Sequence, residues 1–553
     1  MVGPQWIESI LEVTGLDPLG VQAISIRIYG YLLPGISNVT NRLRYYSFLC
    51  WVLYNYTKKG GSNNLDDWRM YIRKAEFLFS LISDVHHINE QGSSSTVGSD
   101  TSTPLIKKYD LDVIDLTKYT QYEDSPDRYF QNKGGGFAQY YKGPMENLKL
   151  VIKGGPLRVQ LAENVKTTGE RRFGVKAALV FSKNRYIELF HNCITKGKVT
   201  RNELSSMAES LCACQIINNT EEYDLLVNLL FDADKEYGRS GSRRRKTFYL
   251  ILKFLKDTKS HGLSIEEYRN ICMYRHYHNG QSLNISHHYD DVLSIWHIYQ
   301  MHEYFCYALQ SLLYVFERMI DEYQGSFDDI AELIKGEIQR GMSASLPSDL
   351  KSFSDVRFDA GTKLDAFINS IAFSNKSDSD WYSNTISEYY LKHEIDKFIE
   401  AKNLTAIFCL AYILLVKIHL KTNVSKDFYN YGENLNFRIY SSNIITLNKM
   451  IETTNDLWAF IRQVLRECVV DRHTIVALRK FRYEKKSTLR YSIEKNVYVR
   501  TNKLKYDVPV FTNPRLQQAF RFLEDLGMAE KMDNKKYIIT SAGKQFLVGI
   551  NEL

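Results

Sequence analysis

A long run of regularly spaced apolar residues between Val292 and Ile320 is the feature that most limits how this chain can fold. Large apolar side chains recur there every three or four residues, which places them together on the face of an α-helix. The chain has only 10 Pro in 553 residues, and few prolines suit long helices because proline interrupts them. The run therefore predicts a long buried helix at the centre of its domain, in a mainly helical protein.

The stretch from Gly15 to Tyr56 is the densest apolar and aromatic passage of the chain. Two turns divide it, Asp17-Pro18 with Gly20 and Pro34-Gly35. From Thr40 onward the apolar and aromatic residues suit a wide helical face. We interpret this stretch as the packed core of an N-terminal body.

Changes in composition divide the chain into regions. A chain of 553 residues is expected to form roughly three or four domains, and segments rich in Gly, Ser, Thr and Pro interrupt the helical patterns. The predicted regions are an N-terminal helical region (1–88), a loop-rich connection (89–156), a central helical domain (157–335), a second helical region (336–449) and a basic winged-helix-like domain (450–553).

The last region differs from the rest because hairpin patterns appear between its helices. Thr488 to Thr501 and Met528 to Ile539 each alternate around a polar turn, as β-hairpins do. Pro514 stands at the favoured first position of the helix between them. This order, ending in DLGMAEKMDNKKYIITSAGKQFL, resembles a winged-helix domain. The predicted fold class is mainly α, a multi-domain helical body with a C-terminal winged-helix-like α+β module.

Positive charge is concentrated in this last region. The whole chain carries a net charge of +7, whereas Asp471 to Lys536 alone has 16 Lys plus Arg against 8 Asp plus Glu, a net of +8. Binding of a nucleic-acid backbone needs such a concentration of cations, so we expect contact with DNA. The candidate nucleic-acid-binding residues are Arg479, Lys480, Arg482, Lys485, Lys486, Arg490, Arg500, Lys503, Lys505, Arg515, Lys535 and Lys536. Binding to a protein stays open as an alternative, because winged helices also bind proteins. A further alternative is that the charge only promotes solubility.

An alternative hypothesis is a nuclease. Arg269 followed by His276 resembles, at a longer spacing, the Arg and His of HEPN ribonucleases, which would flank the scissile phosphate of RNA. Glu400-Ala401-Lys402 has the letters of a metal-dependent nuclease motif but stands in a helical pattern instead of a strand. We therefore favour a protein without catalytic residues.

Two pairs of potential metal ligands stand far apart in the sequence. His86-His87 has no further ligand at metal-binding spacing nearby, and Cys212 and Cys214 have no second Cys pair or His close by. We expect exposed histidines at a helix end and buried free cysteines, with no metal and no cofactor. The 8 cysteines lack regular spacing, as in reduced thiols of a cytosolic protein.

Membrane insertion and secretion are not expected. The best apolar run, Ala406 to Ile418, is interrupted by Lys417 and is shorter than the roughly 18 residues that a transmembrane helix needs. The N-terminus lacks the basic start and apolar run of a signal peptide. We predict a cytoplasmic protein.

Four segments of the chain are similar to large bacterial proteins: GLDPLG, LLPGISNVTNRLRYYSF, YQMHEYFCYAL and NPRLQQAFRFLEDLGM. On these segments the chain resembles accessory subunits of antiphage defence systems built around an SMC-type ATPase, such as Lamassu. The resemblance implies a non-enzymatic scaffold subunit that bridges an SMC-like ATPase, a nuclease effector and DNA, and it supplies no catalytic residues. We expect an accessory subunit of a bacterial defence or DNA-maintenance complex.

Overall fold

The computed structural model of the protein describes residues 17–88, 94–108, 112–121, 125–154, 157, 159–162, 173–232, 238–345, 362–374, 378–384, 386–424, 438–484, 487–501 and 508–551. These residues are mainly α-helical, and their few strands are short and form small antiparallel pairs. The predicted fold class, a mainly α protein with an α+β C-terminal part, is confirmed.

The helices are separated mostly by short connections. They are α1 (Gln22–Leu32), α2 (Tyr45–Lys58), α3 (Leu65–His86), α4 (Ser99–Lys107), α5 (Leu116–Thr120), α6 (Lys142–Asn147), α7 (Gly174–Phe181), α8 (Ile187–Lys196), α9 (Arg201–Leu211), α10 (Thr220–Phe231), α11 (Gly238–Thr258), α12 (Ile265–Tyr274), α13 (Asp290–Glu322), α14 (Phe327–Ser345), α15 (Leu364–Ser374), α16 (Glu388–Glu400), α17 (Leu404–Val424), α18 (Arg438–Thr453), α19 (Leu457–Gln463), α20 (Asp471–Glu484), α21 (Leu516–Asp525) and α22 (Ser541–Asn551). A π-helical segment, Val464–Val470, continues α19 directly into α20.

The strands form four antiparallel pairs within the described residues: β1 (Val113–Asp115) with β4 (Lys198–Thr200), β2 (Val151–Ile152) with β3 (Gln160–Leu161), β5 (Tyr491–Glu494) with β6 (Val497–Arg500), and β7 (Ala529–Lys531) with β8 (Tyr537–Ile539). Tyr491 pairs with Arg500, and Ala529 pairs with Ile539. The last two pairs are the two hairpins that the sequence predicts.

The chain divides into two compact units. The first unit comprises Met1–Ile28 and Glu266–Thr512, and the second comprises Tyr29–Ile265 and Asn513–Leu553. The hairpin β5–β6 belongs to the first unit and β7–β8 to the second. This division differs from the five regions predicted along the chain, since each unit joins segments that are distant in sequence.

Two apolar helices form the core of the first unit. Helix α13 has 33 residues and is buried along most of its length, as the spacing between Val292 and Ile320 predicts. It packs against α17. Within α17, Leu404–Thr422 is long and apolar enough to cross a membrane, with a mean hydropathy of 1.8, but 78% of this window is buried inside the protein. This segment is therefore a core helix.

The core of the second unit is aromatic and centres on α2. The ring of Phe48 stacks on that of Phe79 with the centroids 4.2 Å apart, and Trp51 meets Phe190 edge to face at 5.5 Å. Such pairs add to the free energy gained from burying their surface. The part of Gly15 to Tyr56 that lies in this unit is thus packed core, as interpreted from the sequence.

Helix α3 also fixes the glycine-rich loop that precedes α6. The carboxylate of Glu76 accepts hydrogen bonds from the amides of Gly136 at 2.9 Å and Phe137 at 2.6 Å, and from the hydroxyl of Tyr129 at 2.8 Å. Burial raises the pKa of Glu76 to about 7. The amides of Gly136 and Phe137 therefore bind a carboxylate of the chain itself.

Candidate functional site

Helix α20 is anchored in the first unit by one of its faces. The imidazole of His473 donates through Nδ1 to the carbonyl of Pro18 at 2.9 Å and accepts through Nε2 from the amide of Arg490 at 3.1 Å. Lys480 donates to the carbonyl of Asp17 at 2.6 Å. Because both ring nitrogens are used in this way, His473 is neutral, and burial lowers its pKa to about 4.

A close approach of backbone and side chain completes this anchor. Gly20 has a φ of +63°, and a Cβ at this position would lie 2.8 Å from Cγ2 of Val476. Only glycine adopts this backbone conformation at little cost, so Gly20 lets residues 17–20 lie directly on α20.

The opposite face of α20 presents large apolar side chains to solvent. Ile475, Leu478 and Phe481 are 55%, 60% and 50% exposed, and Arg479 and Arg482 on the same side are also exposed. Residues three and four apart are neighbours on a helix, so these five residues form one continuous surface, named here the α20 surface. Contiguous exposed apolar groups of this kind are typical of interaction sites.

Among the predicted nucleic-acid-binding residues, Arg479, Arg482 and Lys535 are exposed. Lys536 is partly buried and donates to Nε2 of His261 at 2.7 Å. Lys485, Lys486, Lys503 and Lys505 lie outside the described residues.

Three of the predicted cations are buried in the first unit. Lys480 is the anchor of α20 described above. Arg490 and Arg500 flank the hairpin β5–β6, and both pair with the buried carboxylate of Glu317 on α13, at 3.1 Å and 3.4 Å. These arginines attach the hairpin to the core helix, which explains their side-chain exposure of only 5% and 4%.

Arg515 is partly buried in the second unit, directly before α21. Its guanidinium donates to the carbonyl of Leu33 at 3.2 Å and lies 5.1 Å from the centre of the Tyr29 ring. Burial lowers its pKa. Arg515, like Arg490 and Arg500, is used for packing, and a phosphate would have to displace these partners to reach it.

The alternative catalytic residues, Arg269 and His276, are both engaged within the first unit. Arg269 is 6% exposed, donates to Gln300 at 2.7 Å, and lies 4.6 Å from the centre of the Phe511 ring. His276 contacts the carbonyl of Tyr274 at 2.8 Å through Nδ1 and Oγ of Ser282 at 3.1 Å through Nε2. The nuclease hypothesis stays a prediction, and this geometry gives it no support.

The second unit brings together the two pairs of ligand residues that are separate in sequence. His86 and His87 meet Cys212 and Cys214, with one ligand atom of each within 4.8 Å of the others. Burial raises the pKa of the Cys212 thiol, but hydrogen bonds from Cys214, His86 and His87 outweigh burial and leave it well below the usual value. The hydrogen bond to Cys212 raises the pKa of Cys214.

No family model, curated protein or solved structure matches the chain. The kinship with accessory subunits of SMC-type defence systems therefore stays a prediction, as do DNA and the ATPase as partners. The candidates named from the sequence in α20 are cations alone and do not include Ile475, Leu478 and Phe481. Their spacing of three along a helix was the available signal, but it is also the spacing of a buried face.

Proposed function

We propose that this chain is a non-catalytic interaction subunit that binds an acidic, amphipathic helical segment of a partner protein through the α20 surface. The observation that carries the proposal is the exposure of Ile475, Leu478 and Phe481 beside Arg479 and Arg482 on one anchored helix. Apolar residues of a partner helix would cover the three apolar side chains, and its carboxylates would pair with the two arginines.

A protein partner accounts for this surface better than DNA does. A DNA backbone offers phosphates to cations but covers little apolar surface, and its affinity depends on many phosphate contacts. Of the predicted cations in the described residues, Lys480, Arg490, Arg500 and Arg515 are already used within the chain. DNA remains the second candidate, supported by the exposure of Arg479, Arg482 and Lys535.

The resemblance to defence-system subunits indicates which partner to examine first. An SMC-like ATPase in the cytoplasm, with a nuclease effector in the same complex, is the protein partner that this resemblance implies. In such a complex the chain would serve as a scaffold for antiviral defence, and α20 would carry one of its contacts.

The proposal is tested with two fluorescent probes and the full-length protein. One probe is an acidic peptide with leucines at helical spacing, matched by a peptide of the same composition in scrambled order, and the other is a DNA duplex. We expect the wild-type protein to bind the acidic peptide but neither the scrambled peptide nor the duplex. The Leu478→Ser variant should bind the acidic peptide about tenfold more weakly, since a central apolar anchor contributes more than 1 kcal/mol to the binding free energy. Ile493→Ser, which changes another exposed apolar residue of the same unit, is the matched control and should bind as the wild type does.

A second pair of variants separates protein from DNA. Charge reversal of Arg479 and Arg482 to Glu should weaken binding of the acidic peptide, whereas Lys535→Glu should leave this binding unchanged. Lys480 is left unchanged in these variants because its side chain is buried. If the duplex binds with a steep salt dependence, loses affinity on this charge reversal and is indifferent to Leu478→Ser, nucleic-acid binding replaces the proposal.

A further inference from the structure

Two histidines and two cysteines converge in the second unit. His86 is the last residue of α3 and His87 follows it, while Cys212 and Cys214 lie in the loop after α9. The two Sγ atoms are 3.0 Å apart, Sγ of Cys212 is 3.5 Å from Nε2 of His87, and Sγ of Cys214 is 3.5 Å from Nδ1 of His86. Each residue thus offers one ligand atom to a common centre.

These separations suit a tetrahedral zinc ion. Zinc binds Cys sulfur at about 2.3 Å and His nitrogen at about 2.0–2.1 Å, so the corners of its tetrahedron are roughly 3.3–3.8 Å apart. The two sulfur–nitrogen distances of 3.5 Å fall in this range, and the sulfurs would separate by roughly 0.7 Å from their present 3.0 Å. Two thiolates and two imidazoles form a structural zinc donor set, and they disfavour Mg²⁺ and Ca²⁺, which prefer oxygen.

The loop that carries the cysteines is held in place independently of any ion. The amide of Ala213 donates to Oγ of Ser83 on α3 at 3.1 Å, and the amide of Cys214 lies 3.5 Å from Sγ of Cys212 as a donor. The guanidinium of Arg44 donates to the carbonyl of Cys212 at 2.7 Å. These bonds present both sulfurs to the end of α3, so little ordering is needed for an ion to bind.

Arg44 is in turn fixed by a fully buried ion pair. Its Nε and Nη2 donate to the two carboxylate oxygens of Glu222 at 3.1 Å and 2.9 Å, and both side chains have 0% exposure. Ser47 adds a hydrogen bond to Glu222 at 2.6 Å. The bidentate pair therefore supports the cysteine loop from behind, as outer partners commonly do around metal ligands.

A polar group also faces the outer side of one histidine. The side-chain amide of Gln215 lies 3.1 Å from Nε2 of His86. The oxygen and nitrogen of an amide are interchangeable by rotation. With the oxygen turned toward Nε2–H, and with the amide of Asn218 that now donates to this oxygen turned as well, Gln215 would hold His86 in the tautomer whose Nδ1 can bind an ion.

We propose that His86, His87, Cys212 and Cys214 bind one zinc ion in a closed, structural site. The ion would join the end of α3 to the loop between α9 and α10, two segments more than a hundred residues apart. Since four protein ligands complete the tetrahedron, no position is left for substrate. This site is independent of the α20 surface, and either proposal can fail without the other.

Metal analysis of the full-length protein tests the site. We expect purified wild-type protein to contain about one zinc per chain and the double variant Cys212→Ser, Cys214→Ser to contain less than a tenth of this. Cys193→Ala, which changes another buried thiol of the same unit, should keep its zinc. Equal metal content in the double variant and the wild type would overturn the proposal.

A titration that needs no variant protects the test against misfolding. Wild-type protein is stripped of metal under reducing conditions and titrated with Co²⁺, which reports tetrahedral thiolate coordination by its visible absorption. We expect a spectrum that saturates at one Co²⁺ per chain and is displaced by Zn²⁺. A protein that folds but gives no such spectrum would refute the site.

Discussion

In the basic C-terminal stretch, residues close in sequence lie in different environments, whereas in the histidine–cysteine group, residues distant in sequence lie close together. Arg479 and Arg490 are near neighbours in one cationic stretch, yet Arg479 is exposed and Arg490 is paired with a buried carboxylate. His86 and Cys214 are distant in sequence and have no motif between them, yet their ligand atoms are 3.5 Å apart. Clustering along the chain therefore does not show which cations are exposed, and separation along the chain hides the proximity of the two ligand pairs.

The difference arises because a cluster of charge and a metal site depend on different physical conditions. Charge affects solubility and long-range attraction wherever it stands, so a basic stretch alone does not determine which cation is exposed. A metal site needs its ligand atoms a few ångströms apart, a condition that the folded chain can satisfy from any sequence separation.

The largest effect is expected for Glu317→Gln. The substitution removes the buried carboxylate that pairs with both Arg490 and Arg500, while Arg500 keeps Asp321 at 3.6 Å. Removal of one partner of a buried ion pair typically costs about 3–5 kcal/mol. Urea denaturation should show this loss of unfolding free energy. Glu322→Gln, at an exposed position of the same helix, is the control. A stability equal to that of the wild type would mean that these arginines are not held as described.

A comparable loss of stability is expected for Glu222→Gln, and metal binding provides a second measurement. It leaves the buried guanidinium of Arg44 uncompensated, at a cost of about 3–5 kcal/mol, and loosens the loop of Cys212. We expect lower thermal stability together with weaker Co²⁺ binding to the metal-free protein. Glu221→Gln alters the neighbouring exposed carboxylate and should change neither. Destabilisation with unchanged Co²⁺ affinity would show that the ion pair does not position the ligands.

Stability should fall with acidification because His473 is buried and neutral. Its pKa is about 4 in the folded protein against an ordinary 6.5, so the unfolded chain takes up the proton first as the pH falls. The free energy of unfolding should therefore decrease from about pH 6.5 down to about pH 4, by up to about 3 kcal/mol from this residue. Denaturation curves of wild type and His473→Gln across this range isolate the contribution. Parallel pH profiles would contradict the assignment.

The smallest effects concern the two faces of α20. Leu478→Ser changes an exposed residue and should alter stability by no more than about 0.5 kcal/mol. Val476→Ala, on the anchored face, should cost about 1–2 kcal/mol because it removes buried methyl groups. Thermal melts of both variants provide the comparison. A larger loss for Leu478→Ser than for Val476→Ala would show that the α20 surface is packed in solution.

Much of the fold could be predicted from the sequence because its signals are local. The spacing of apolar residues predicted α13, and alternation around short polar turns predicted the hairpins β5–β6 and β7–β8. Hydrogen bonds within helices and hairpins join residues close in sequence, so each element depends mainly on its own residues. The division into units was not predicted, because residues 17–28 belong with Glu266–Thr512, and Asn513–Leu553 belongs with Tyr29–Ile265.

The residue types of both candidate sites can be read from the sequence, but the role of each residue depends on partners that are distant along the chain. The amino-acid sequence shows that residues 471–484 combine cations with apolar residues, and that the chain carries a His-His pair and a Cys-Ala-Cys pair. Tertiary packing places Glu317 against Arg490 and Arg500, and it brings the end of α3 to the cysteine loop. The reason is that burial and ligand geometry are set by which elements pack together, and no local pattern records that choice.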